Sequence, residues 1–280
     1  MALRHAKGAL MTAIDLPPIG MGTYGLNGTA GRDALVTALR GGYTLLDSAF
    51  SYENEGAVGA AVRASGMPRE AITVTSKLPG RHHAYDEALR TVEESVMRMG
   101  LDHIDLYLIH WPNPRIDRYV DAWRALIEAR RRGLVAHIGV SNFLPDHIER
   151  LEAVTGVSPE VNQIELHPYF PQLEQLKFDA QHGIVTEAWS PVGRGNDVTE
   201  AQPVREAARA HGIEPIQAVL AWHLAIGSLP LPKAGSAEHQ QQNLAAAQVQ
   251  LTAAEVRAIS ALGRPDGRLK DQDPAVYEEF

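Results

Sequence analysis

Asp47, Tyr52, Lys77 and His110 are the residues of this chain best suited to moving a proton. An acid, a phenol, an amine and an imidazole each stand at the end of a hydrophobic run or in the loop after it, and together they suggest a tuned proton donor. A tyrosine hydroxyl has a pKa near ~10 and donates poorly at neutral pH, but an adjacent ammonium favours the phenolate and lowers that barrier. Asp47 would hold the lysine in place and charged, and His110 would turn a substrate oxygen toward the same hydroxyl. Taken singly, each has a plainer explanation: Asp47 with Lys77 as a structural ion pair, and Tyr52 as a surface phenol beside a helix. As a set they point to chemistry.

Something must bring these scattered residues together. Short β-rich runs occur at 18–23, 45–47, 72–77, 104–110, 137–142, 161–165, 184–190 and 229–233. Between them lie stretches of helical periodicity, with Leu89, Val92, Val96 and Met99 in one and Tyr119, Ala122, Trp123, Leu126 and Ile127 in another. Gly100 and Gly133 stop these helices, the second just after Arg130, Arg131 and Arg132, whose charges suit the negative end of a helix dipole. Alternating strands and helices imply a parallel sheet with crossover helices, and eight such units predict an α/β fold, the (β/α)8 TIM barrel. Catalytic residues of that fold sit at the carboxyl ends of the strands, where Asp47, Lys77, His110, Asn142, Gln163, Trp189 and Lys233 fall. The interval between Trp189 and Lys233 is long and holds Gly193, Gly195 and Asn196 before at least one helix, which predicts a flexible loop.

The chain has 280 residues, 45% of them hydrophobic, which suffices for one large core. Nothing in it reads as a linker, so residues 1–280 are expected to form one domain, with 263–280 as a carboxyl-terminal loop near the substrate pocket. A net charge of −8 argues against a general basic field for nucleic acid or an anionic membrane. Without cysteine there is no disulfide framework, zinc-thiolate site or thiol nucleophile. Arg4, His5 and Lys7 precede a short apolar stretch ending near Ile14, but it lacks the continuous apolar core and cleavage site of a signal peptide. The expected compartment is the cytosol.

The stretches Gly42 to Glu55 (GYTLLDSAFSYENE), Thr75 to Leu78 (TSKL), Leu106 to Pro112 (LYLIHWP) and Gly139 to Asn142 (GVSN) resemble the aldo-keto reductase family. The likeness continues through Asn162-Gln163, Trp189 to Pro191 and Leu231 to Lys233, in order over nearly the whole chain, and is nearest the bacterial diketogluconate-reductase-like and prostaglandin-synthase-like branch. It implies reduction of aldehydes or ketones with NAD(P)H on a barrel, normally as a monomer, without a metal. On the matching positions Tyr52 would donate the proton, Asp47 and Lys77 would tune it, and His110 would orient the carbonyl. Ser141, Asn142 and Gln163 would hold the nicotinamide carboxamide, and Trp189 would stack on the ring where the family usually has tyrosine. Gly22, Thr23 and Tyr24 would form the first strand's loop beside the cofactor. Ser190, Pro191, Val192 and Gly193 would follow the pyrophosphate, and Lys233, Ala234, Gly235, Ser236, His239, Gln242 and Asn243 would grip the adenosine end.

One segment departs from the family. The pattern of lysine-serine, then arginine, then glutamate-asparagine is altered at Ala234, His239 and Gln242. An arginine at 239 would add a charge-assisted contact to the 2′-phosphate of NADPH worth roughly 1.5–3 kcal/mol. NADPH is therefore the expected cofactor, with appreciable use of NADH. Other features mislead. Gly20 to Gly25 spells G-x-G-x-x-G, but the fingerprint needs a helix opening at its third glycine, and here the chain continues as a turn. Lys77 at a strand end would also suit a Schiff-base aldolase, and a barrel retaining a nicotinamide would suit a redox-sensing regulator. His82 and His83, adjacent in a polar loop without a carboxylate or thiol set, read as solvated rather than metal-binding. Tyr24, Phe50 and Trp111 form an expected aromatic substrate rim with Tyr52 and His110, suited to modest aldehydes, keto acids or dicarbonyls. Arg264, Arg268 and Lys270 read as part of a solvated tail.

Overall fold

The computed structural model describes residues 14–270 and 272–280, so the apolar stretch after Arg4 lies outside the described residues except for Ile14. Eight strands pair in parallel and in chain order: β1 (Met21–Gly22), β2 (Leu45–Asp47), β3 (Thr73–Leu78), β4 (Ile104–Ile109), β5 (Val135–Ser141), β6 (Val161–Glu165), β7 (Val185–Trp189) and β8 (Leu229–Pro230). The barrel closes because Gly20 N donates to Pro230 O and Gly22 N donates to Pro232 O, each at 3.1 Å. The eight predicted runs are all present. The first and last shrink most, because Pro17, Pro18, Pro230 and Pro232 have no N–H to give to a ladder, although prolines can still accept.

Ten helices are found among the described residues: α1 (Gly28–Arg40), α2 (Glu55–Ser65), α3 (Tyr85–Met99), α4 (Tyr119–Arg131), α5 (Pro145–Thr155), α6 (Leu173–Gln181), α7 (Gln202–His211), α8 (Pro215–Ile226), α9 (Ala237–Ala245) and α10 (Ala253–Ser260). Each strand from β1 to β7 leads through helix into the next strand, with α7 and α8 both between β7 and β8. α1 opens at Gly28, past Gly25, so the G-x-G-x-x-G is a strand followed by a turn. α3 stops at Gly100 in the left-handed region, as its sequence predicts, and at the end of α4 Arg131 and Arg132 pair with Glu128 while Arg130 pairs with Glu160. The long interval after Trp189 contains two short helical turns, Gly193–Gly195 and Val198–Glu200, before α7.

Parallel strands in this fold are covered on both sides, which explains their continuous apolar runs. On β4, Tyr107 and Ile109 pack outward in the large cluster against the helices, while Leu106 and Leu108 meet Val161 inside the barrel. A second interior group, Leu45, Leu229 and Leu231 with Leu16, closes the barrel floor near the β8–β1 seam. Polar interior residues occur above these apolar layers, toward the carboxyl ends. That seam is tight. A Cβ added at Gly22 would lie 2.8 Å from the Leu231 carbonyl oxygen. Gly22→Ala should therefore destabilise by about 1–3 kcal/mol and lower Tm by several degrees. A Tm within about one degree of the parent would contradict this reading of the closure.

Candidate active site

Asp47 ends β2, Lys77 sits on β3, Gln163 on β6 and Glu187 on β7, and all four side chains point into the barrel. Lys77 is fully buried. Its Nζ donates to Asp47 Oδ1 at 2.6 Å and to the Ser48 carbonyl at 2.7 Å. Burial alone would strip its proton, but Asp47, Tyr52 and Glu187 outweigh that and raise its pKa above the usual lysine range. Gln163 Nε2 donates to Asp47 Oδ1 at 2.9 Å and to Glu187 Oε2 at 2.8 Å. Two carboxylate acceptors fix the amide with its nitrogen inward, so its carbonyl oxygen faces the cavity.

Tyr52 belongs to a helical turn, Phe50–Tyr52, between β2 and α2, and its ring lies over the ammonium of Lys77 at 5.1 Å from the centroid. The sequence suggests a phenol shifted down by the lysine. In the structure burial dominates and raises the Tyr52 pKa, with the pull of Lys77 offsetting only part of it. The hydroxyl is therefore protonated at neutral pH and stands next to a cation that would stabilise its phenolate. His110 follows β4, and its ring is 6.0 Å from that of Tyr52 in an edge-on arrangement.

Asp47, Tyr52, His110 and Gln163 line a cavity of about 530 Å³ at the carboxyl ends of the strands, with Lys77 and Glu187 buried behind them. Gly22, Thr23 and Tyr24 are on its wall, as are Ser141, Asn142, Gln163, Trp189, Ser190, Pro191, Val192, Lys233 and Trp111. Asn142 and Ser190 hold positive φ values of 63° and 49°, so backbone strain concentrates at two strand ends facing this cavity. Asn142 spends both amide atoms within the protein: Nδ2 donates to the His110 carbonyl at 2.9 Å, and Oδ1 accepts from Trp189 Nε1 at 2.8 Å. Ser141 Oγ is likewise given to the Gln163 carbonyl.

The wall differs from expectation in several places. Phe50 is absent from it: the ring is buried beneath Arg98, whose guanidinium is 4.0 Å from its centroid. Tyr277 replaces it, packed 4.5 Å from Trp111. His83 is buried and neutral rather than solvated, its pKa pushed down to about 4 by burial. Arg264 is exposed, as the tail reading expects, but rests on the Tyr169 ring; Arg268 is partly buried over Phe170, and Lys270, also exposed, is on the cavity wall. Gly193, Ala234, Gly235, Ser236, His239, Gln242 and Asn243 are off the wall, the last six in or just before α9. Ser236 Oγ caps that helix by accepting from His239 N at 3.3 Å, and His239 is exposed in its first turn, so an anion has an open helix end to approach.

Sequence reasoning missed Glu279. Its carboxylate reaches back into the cavity, with Oε1 2.8 Å from His110 Nδ1 and Oε2 accepting from Gly80 N at 2.8 Å. Asn113 holds the Glu279 backbone from both sides, donating to its carbonyl at 2.8 Å and accepting from its N–H at 3.0 Å. A lone glutamate next to the end of a charged tail carries no periodic signal. Asn113, which anchors it, gives no signal in the sequence either; its φ of 47° appears only in the structure.

A nicotinamide dinucleotide fits these surroundings: a free amide carbonyl at Gln163, an indole face at Trp189, close backbone at Gly22, a cation at Lys233 and the open α9 end. The family model for the aldo/keto reductase family matches residues 18–264. Over 261 residues the chain is 49% identical to 2,5-diketo-D-gluconic acid reductase B of Corynebacterium sp. (strain SHS752001), covering 93% of this chain and 94% of that one. Its fold is similar to crystal structures of a Gox0644 mutant in complex with NADPH (TM-score 0.89, 36% identity, 96% of this chain and 100% of that one) and of a Bombyx mori aldo-keto reductase in complex with NADP (TM-score 0.85, 30% identity, 94% of each). The chain belongs to the aldo/keto reductase family. It is an NAD(P)H-dependent reductase of carbonyl compounds.

Burial raises the Glu279 carboxyl, but His110, the Gly80 N–H and His83 together pull it below the usual range. A depressed carboxylate stabilises the docked tail above its unfolded pKa, near ~4.3, and that stabilisation is lost as pH falls through the depressed value. Hydrogen exchange should therefore show the amides of Tyr277 and Glu279 protected at pH 7 and losing protection first on acidification. Asn113→Ala should lose it at every pH. Equal protection in parent and Asn113→Ala would contradict this anchoring.

Proposed function

We propose that Tyr52 donates the proton, Lys77 and Asp47 tune it, and His110 orients the substrate oxygen. The observation that carries this reading is the fully buried Lys77 ammonium held by Asp47 beneath the Tyr52 ring, just behind the wall of a cavity large enough for a small substrate beside a nicotinamide. When bound, the cofactor supplies the hydride. The protein's part is to hold the carbonyl against His110 and Tyr52, exclude water with the tail, and deliver the Tyr52 proton to the developing alkoxide. Positioning of this kind contributes about 7–11 kcal/mol, and a placed acid a further ~10²–10⁴-fold. A Schiff-base role asks Lys77 to lose its proton, whereas its surroundings keep it charged.

The substrate is proposed to be a small carbonyl compound with a second polar group, of the keto-acid or dicarbonyl class. The name of the Corynebacterium relative supports an acidic dicarbonyl, and so do Lys270 and Arg194 on the cavity wall, the latter stacked 5.1 Å from the Tyr24 ring centroid. NADPH is proposed as the main cofactor with appreciable NADH use, since His239 offers no guanidinium to a 2′-phosphate. The chain is proposed to act as a single cytosolic barrel domain and a monomer, with 263–280 as part of the substrate pocket and no nucleic acid or membrane partner. No helix among the described residues is long and apolar enough to cross a membrane.

A panel of aldehydes, ketoses and α-dicarbonyls with NADPH and with NADH, run beside Tyr52→Phe, tests the reading. Tyr52→Phe should lower kcat by about 10²–10⁴ with little change in cofactor affinity, and undiminished turnover would remove Tyr52 from the role. NADPH should lead NADH by no more than about two powers of ten in kcat/KM; a preference above about a thousandfold would rule out the proposed effect of His239.

A further inference from the structure

The proton-donor mechanism leaves one buried ionisable group unused. Glu187 has no solvent exposure, one oxygen on Gln163 Nε2 at 2.8 Å, and the other without a hydrogen-bond partner among the described residues. Its β-strand neighbours offer little compensation: β6 supplies the Gln163 amide and β8 only Leu229 and Pro230. The charged groups that face it are Asp47 on β2 and Lys77 on β3. Asp47 and Glu187 thus share one amide nitrogen and one ammonium inside a dry barrel. With both carboxylates ionised that interior carries an excess negative charge; with Glu187 protonated it is neutral.

We propose that Glu187 is a positioning residue of the cofactor site, locking the Gln163 amide so that its carbonyl faces the carboxamide, and setting the charge felt by the nicotinamide ring. This rests on the nicotinamide reading of the cavity. The ring is cationic in the oxidised cofactor and neutral in the reduced one, so a buried negative charge behind Gln163 favours NADP⁺ over NADPH. Burial, reinforced by the Asp47 charge and opposed by Gln163 and Lys77, raises the Glu187 carboxyl to about 7. Protonation of Glu187 below that range removes the preference, and ionisation above it restores it. By reciprocity, NADP⁺ binding releases more protons from the barrel interior than NADPH binding does.

The test is equilibrium binding rather than turnover: dissociation constants of NADP⁺ and NADPH from quenching of protein fluorescence, across pH values spaced about one to two units on either side of the Glu187 range. Phosphate, ribose and adenine are common to both ligands, so the ratio of the two constants isolates the ring. In the parent protein NADP⁺ should gain roughly threefold to tenfold over NADPH as pH rises through the neutral range. Glu187→Gln, and the uncharged Glu187→Met should the first not fold, should make the ratio independent of pH. A flat ratio in the parent, or an unchanged slope in either variant, would overturn the proposal while leaving the reductase reading intact. Failure of either cofactor to bind at all would overturn both.

Discussion

Everything at this site depends on one buried ion pair. Lys77 and Asp47 sit inside the barrel almost without solvent, where each charge carries a desolvation penalty of several kcal/mol. The pair persists because each charge has further partners: the Ser48 carbonyl for Lys77 and the Gln163 amide for Asp47. That requirement spreads through the strand ends. β2 must end on the acid, β3 must aim the amine inward at the same level, and β6 must offer a donor, which leaves room for a second carboxylate on β7.

The ion pair also explains why Tyr52 can be an acid at neutral pH. A phenol partly withdrawn from water keeps its proton, and the ammonium under its ring is already paid for by Asp47 when that proton has to leave. Lys77 does not convert Tyr52 into a phenolate at rest. It lowers the cost of the phenolate formed during reaction, a difference between two states and hence a source of catalysis. The tail completes the arrangement from the other side, with Glu279 on His110 and Tyr277 on Trp111, so the wall facing the ion pair comes from residues more than 160 positions away along the chain.

Much of this was legible before the fold was known. Eight strand-like runs separated by helical periodicity indicate the barrel, and the barrel rule converts Asp47, Lys77 and His110 from scattered residues into neighbours. Legibility fails where a role depends on long-range packing without a local pattern. Phe50 looks like a rim residue from its place beside Tyr52, but Arg98 from α3 covers it. His83 looks solvated because its sequence neighbours are polar, yet the site beneath Glu279 is dry. Arg268 and Lys270 read as a charged tail because neither the stacking of Arg268 on Phe170 nor the turn of Lys270 toward the cavity has a sequence period. The sign of the Tyr52 shift also had to await the structure, since burial and a nearby cation act in opposite directions and only geometry says which is larger.

The most direct test of this account is the pH dependence of carbonyl reduction in the parent and in a Lys77→Met, Asp47→Asn double variant, which removes the pair without leaving either charge alone. The account predicts a rate lower by at least about a hundredfold, with the alkaline limb of the profile moved to higher pH as the phenol loses its stabilising cation. A variant that kept both the parent rate and the parent alkaline limb would show that the buried pair does not tune Tyr52.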